Sequence, residues 1–195
     1  MNAAAVVNLG LDDALDAFGA GAIGGAVSPE VDALIKEAGL KRDQPVEALT
    51  LLERARALAP SHPGPLIALY RFHFYGHELG KARAVGEDAL AIARTALGPD
   101  FGDQPPDDDA LRHDPAVRFY LFTLKGLAYL NLRLGDFEEA RLTLAALRQL
   151  DPQDHLGGAL LSHVLARREA AESPDAVDPL SAYPVRGWSG SGAKL

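Results

Sequence analysis

Alanine and leucine positions in this chain recur at a fixed interval. Ala48 and Ala82 lie 34 residues apart, as do Ala55 and Ala89, and Leu58 and Ile92. A further step of 58 residues carries the second set onto Ala140, Leu147 and Leu150, and 58 is 34 plus 24. The same step carries Leu69 onto Leu127, and Pro60 and Pro152 are 92 apart, which is twice 34 plus 24. A single insertion of 24 residues therefore holds five sets of positions in register. Self-similarity at such a period restricts a chain to stacked units, each burying the apolar side of the next.

The periodicity inside a unit is helical. Leu66, Leu69, Tyr70 and His73 follow i, i+3, i+4, i+7, one face of a helix. Ala48, Ala82 and Ala140 stand where neighbouring helices are expected to cross closely, so a larger side chain there overpacks, at ~1–3 kcal/mol. Gly135-Asp136 provides a turn and an acidic group for the next helix N-terminus, and Pro60 and Pro152 lie past helix ends. Leu156, Leu160, Leu161, Val164 and Leu165 read as a last helix that covers the stack.

These residues carry a family resemblance. Leu127-Ala128, Gly135-Asp136-Phe137-Glu138-Glu139-Ala140, Leu144, Leu147 and Leu150-Asp151-Pro152 form the best of three copies that resemble the tetratricopeptide (TPR) repeat. Weaker copies run through Leu69, Leu79, Ala82 and Ala89, and through Ala48, Leu52, Ala55 and Pro60. The resemblance implies an all-α, TPR-like stack of antiparallel helix pairs, a right-handed superhelical solenoid of about three repeats plus a capping helix, over residues 29–168. The copies depart from the family in three ways. None has its early tryptophan, Tyr70 stands where glycine is usual, and Gly86 stands where a bulky side chain is usual.

Outside the repeats, residues 3–18 suggest a short helix and Gly19–Ser28 a Gly/Ala-rich connector, together making up residues 1–28. Residues 98–114 are an acidic insertion with six aspartates against one arginine, expected as a solvated loop whose last aspartates favour the next helix N-terminus. Residues 169–195, with Pro174, Pro179 and Pro184, read as an extended or disordered tail. The net charge of −8 argues against a duplex-DNA binder, and the absence of cysteine removes thiolate chemistry. No apolar run approaches the ~20 residues that span a bilayer, and Asp12, Asp13 and Asp16 interrupt the N-terminal apolar stretch. A cytoplasmic protein without nucleic-acid or membrane partners is the expectation.

Several motifs invite chemistry. Gly19-Ala20-Gly21-Ala22-Ile23-Gly24 matches G-x-G-x-x-G, but a helical stretch precedes it where a dinucleotide site needs a strand. Gly187 and Gly192 have the spacing of a phosphate loop, but the chain ends at Leu195 without the helix that loop requires. His73 and His77 are i, i+4 on the expected helix, a spacing that suits two metal ligands or, for His73, a hydrogen-bonded packing role. With the nearby aromatics they support an alternative, a helical metal- or small-molecule-binding protein. Asp107-Asp108-Asp109 lacks the alternating oxygens of a calcium loop. No spacing supports a nucleophile–base–acid set, so the chain reads as non-catalytic, with no cofactor.

The TPR architecture turns a second face of each first helix toward the concave surface. That face carries Ile67, Arg71, Phe74 and Tyr75 in the second copy and Phe122, Lys125, Tyr129, Leu132 and Arg133 in the third. In the capping helix it carries Ala159, His163, Ala166 and Arg167. None of these residues is acidic, although the chain as a whole is. Rings mixed with cations suit a protein or peptide partner that offers apolar anchors and carboxylates. The cations resemble a carboxylate-clamp TPR groove, with Tyr129 where that clamp uses asparagine. Leu180, Tyr183, Val185 and Trp188 of the tail are a second source of anchors, able to fill the groove in cis or to mediate self-association. Finally, residues 68–75 and 118–126, with Leu150-Asp151-Pro152, are similar to short TPR proteins that accompany bacterial nitrogen-fixation systems. That resemblance implies an adaptor or assembly factor.

Overall fold

The computed structural model describes residues 26–41 and 43–172. The expected N-terminal helix, both glycine motifs and the tail anchors lie outside the described residues, as does most of the Gly/Ala-rich connector. Among the described residues there are eight α-helices and no strand. They are α1 (Pro29–Leu40), α2 (Pro45–Leu58), α3 (Pro63–Tyr75), α4 (Leu79–Leu97), α5 (Asp108–His113), α6 (Pro115–Leu134), α7 (Phe137–Leu150) and α8 (Ala159–Glu172).

Local chemistry sets these boundaries. Proline opens α1, α2, α3 and α6, where its missing N–H costs no hydrogen bond. Ser28 Oγ, His62 Nδ1 and Asp114 Oδ1 accept backbone N–H bonds at the starts of α1, α3 and α6. Helix starts recur at the intervals found in the sequence. Pro29 and Pro63 are 34 apart, Pro45 and Leu79 are 34 apart, and Leu79 and Phe137 are 58 apart.

The ends of α3 and α6 repeat as well. Glu78 N–H donates to the His73 carbonyl and His77 N–H to the Phe74 carbonyl; 58 residues on, Asp136 N–H donates to Asn131 and Gly135 N–H to Leu132. Both are Schellman caps, which need a left-handed residue. Gly135 supplies it at φ 79° in one copy and His77 at φ 60° in the other.

α1 packs on α2, α2 on α3, α3 on α4, α6 on α7 and α7 on α8; α4 packs on α6 across the short α5, which itself packs on α6, and α1 also touches α3 and α6 touches α8. Ala48, Ala82 and Ala140 are buried to 2% exposure or less. Leu66, Leu69, Tyr70 and His73 are all buried, as one apolar face requires. The two departures at Tyr70 and Gly86 answer each other. A Cβ on Gly86 would stand 2.9 Å from Leu127 Cδ2 and 3.7 Å from Tyr70 Cε2, so the glycine of α4 makes room for Leu127 and the tyrosine ring.

The structure corrects two expectations. The 98–114 insertion is not merely a solvated loop. It contains α5, buries Leu111, and packs Phe101 edge-on against Tyr120 at 5.1 Å. The last helix begins at Ala159 rather than near Leu156 and continues to Glu172. Leu161 and Leu165 pack with Ala128 and Leu144, while Leu160 is 62% exposed.

Candidate functional site

The ring-and-cation face forms between α3 and α6. Tyr70 and Phe74, one turn apart, stack at 5.9 Å, and Phe74 meets Tyr75 edge-on at 5.5 Å. Phe74 then crosses to α6, where its ring lies 6.0 Å from that of Tyr129. One turn further along α6, the Arg133 guanidinium sits 5.7 Å over the Tyr129 ring and donates to its hydroxyl at 2.7 Å. Tyr75, Phe74, Tyr129 and Arg133 thus make one continuous strip across two helices. Tyr75 is 54% exposed and Arg133 is exposed, so the strip opens to solvent at both ends. Edge and tilted ring contacts align the aromatic quadrupoles favourably, and the guanidinium adds a cation–π contact of ~0.5–1 kcal/mol at an exposed site.

The other expected groove residues divide by surroundings. Ile67 is buried in the main core, and Arg71 is half-buried on α3. Phe122 is buried, with the Arg118 guanidinium 5.5 Å over its ring. Leu132 packs against the Ala128–Leu144–Leu161–Leu165 cluster that seats α8. Lys125 Nζ donates to the Leu156 carbonyl, which ties α6 to the loop before α8. Burial pushes the Lys125 ammonium below the usual lysine range, and Asp154 opposes that shift.

His163 and Arg167 are exposed on α8. His163 lines a crevice of about 380 Å³ between α7 and α8, together with Leu147, Arg148 and Ser162. The crevice wall is a braced loop. Asp151 is 3% exposed, and its carboxylate accepts from His155 N–H at 2.9 Å and Leu156 N–H at 2.8 Å. Sequence reasoning gave Asp151 no role; the signal available was an aspartate between a helix end and a proline, an arrangement that favours side-chain caps of a following turn.

The histidine pair does not share a helix face. α3 ends at Tyr75, and His77 lies in the left-handed cap position beyond it. His73 is buried, with Nδ1 2.9 Å from Glu78 Oε2. Hydrogen bonds from Lys81 and His73 hold the Glu78 carboxyl below its usual range. Among the described residues, no group of three or more His, Asp or Glu is placed to hold a metal ion.

Among the described residues these features define an all-helical arrangement whose most distinctive exposed chemistry is a strip of rings that ends in one arginine and bridges α3 and α6 through the Phe74–Tyr129 contact. Among the described residues, no helix is long and apolar enough to cross a membrane. The chain is 36% identical over 125 residues to an Azotobacter chroococcum mcd 1 protein described as an uncharacterized 19.8 kDa protein in the nifW 5' region. The match covers 62% of this chain and 70% of the relative, and the two belong to one family. No protein-family model matches the chain, and no solved structure matches it.

Proposed function

We propose that this protein is a non-catalytic interaction module built from TPR-like helix pairs, which holds a partner protein against the α3–α6 face. The observation that carries this is the Tyr75–Phe74–Tyr129–Arg133 strip, apolar and cationic on a chain of net charge −8. Aromatic and arginine side chains dominate binding hot spots, because they combine large contact area with few rotatable bonds or with bidentate hydrogen bonding. A partner segment with apolar side chains beside carboxylates matches both. The 34-residue recurrence of helix starts supports the TPR-like assignment. The relative's place in the nifW 5' region supports a role as an adaptor or assembly factor in a nitrogen-fixing cell.

Affinity capture from the native cell tests the proposal, with the wild-type chain and an Arg133→Glu variant as paired baits. A partner retained by the wild type and reduced at least tenfold on the variant is the expected result. Equal retention on both removes the strip from the function.

A further inference from the structure

Helix α6 runs from an acidic segment at its N-terminal end to the exposed Arg133 near its C-terminal end. At its N-terminal end lies the 98–114 segment, with six aspartates and one arginine. This segment is held in place. Phe101 packs on Tyr120, Leu111 is buried, and Gln149 Nε2 donates to the Gly102 carbonyl at 3.3 Å. All six aspartates are exposed. Asp107 and Asp114 cap helices and Asp109 pairs with His113, whereas the Asp100, Asp103 and Asp108 carboxylates make no hydrogen bond or ion pair among the described residues. A fixed acidic surface of this kind loses little conformational entropy on docking.

At the other end of α6 stands Arg133, bonded to Tyr129 and paired with no carboxylate among the described residues. Tyr120 and Arg133 are 13 residues apart, about 20 Å along a helix at ~1.5 Å per residue. A segment anchored on Tyr120 cannot cross that distance to its own Arg133. The two charges can be matched between molecules but not within one.

We infer that a second copy of this chain docks its 98–114 segment on the Phe74–Tyr129–Arg133 face, head to tail. This rests on the functional proposal that the face is a docking surface. Asp103 and Asp108 supply carboxylates for the Arg133 guanidinium, a charge-assisted contact. The Pro105-Pro106 pair supplies a stiff apolar surface for the exposed Tyr75 ring. Because different patches meet, each added copy leaves one segment and one face open, and the assembly extends unless it closes into a ring. Attraction between exposed charges is screened by salt, so assembly weakens as ionic strength rises.

Sedimentation velocity on the full chain tests this over a range of concentrations at low and high salt. The expected result is a mass that rises with concentration and returns toward the monomer in high salt. Arg133→Gln, and separately Asp103→Asn with Asp108→Asn, should each weaken association at least tenfold while leaving the circular dichroism unchanged. Mixing these two variants should give a one-to-one dimer that does not grow, since only one intact junction remains. A monomer at every concentration overturns the inference, as does assembly indifferent to salt and to both variants. A monomeric chain that still captures its partner through Arg133 overturns this inference and leaves the functional proposal standing.

Discussion

Replacing Gly86 by alanine places a methyl group against one of the tightest contacts in the helical stack. The new Cβ stands 2.9 Å from Leu127 Cδ2, closer than carbon atoms tolerate, and Leu127 is only 5% exposed, so it has little room to move. Two terms oppose each other. Alanine in the interior of α4 gains ~0.8–1.0 kcal/mol of helix propensity over glycine. Overpacking costs ~1–3 kcal/mol, so the single substitution should lose between about 0 and 2 kcal/mol. Leu127→Ala alone should lose ~2–5 kcal/mol as a core truncation. In the double variant the clash is gone and the added methyl fills part of the void, so the losses should fall short of additive by at least ~1 kcal/mol. Urea unfolding followed by far-ultraviolet circular dichroism measures all four proteins. Losses that add to within ~0.5 kcal/mol would refute the contact between α4 and α6 at this position.

The Schellman caps make a paired prediction: His77→Gly should stabilise the chain by ~0.5–1 kcal/mol and Gly135→Ala should destabilise it by about as much, because both sites are left-handed. Asp151→Ala should cost at least ~2 kcal/mol by stranding the His155 and Leu156 N–H groups, and Asp151→Asn should cost less. Acidification tests Glu78, whose carboxyl is held low by Lys81 and His73. A carboxyl depressed in the folded state adds stability above its unfolded pKa and loses that contribution as pH falls through the folded value. The urea midpoint of the wild type should therefore exceed that of Glu78→Gln at neutral pH, with the gap closing through the acidic carboxylate range; a gap independent of pH would contradict the assignment.

Helix placement was legible because it depends on local signals that the sequence prints directly. Pro60 and Pro152 past helix ends, the 34-residue alanine recurrence and the Gly135-Asp136 turn are signals that need no reference to distant contacts. The candidate strip was legible in part. Phe74 and Tyr75 neighbour each other on α3, Tyr129 and Arg133 lie one turn apart on α6, and the Phe74 and Tyr129 rings join the two pairs. What the sequence concealed depends on long-range partners. Lys125 reads as a groove cation, but its ammonium bonds the Leu156 carbonyl 31 residues away. Phe101 and Leu111 sit in an aspartate-rich stretch whose composition suggests solvent, yet both pack on the core. The Tyr70–Gly86 exchange looks like two unrelated departures until α3, α4 and α6 are assembled around Leu127.

The most direct measurement maps where a bound partner touches this protein, by amide hydrogen exchange on the free chain and on its complex with the captured partner. Protection should concentrate on the C-terminal halves of α3 and α6, around Phe74–Tyr75 and Tyr129–Arg133. Protection confined to α2, α4 and α7, with α3 and α6 unchanged, would contradict the proposed face.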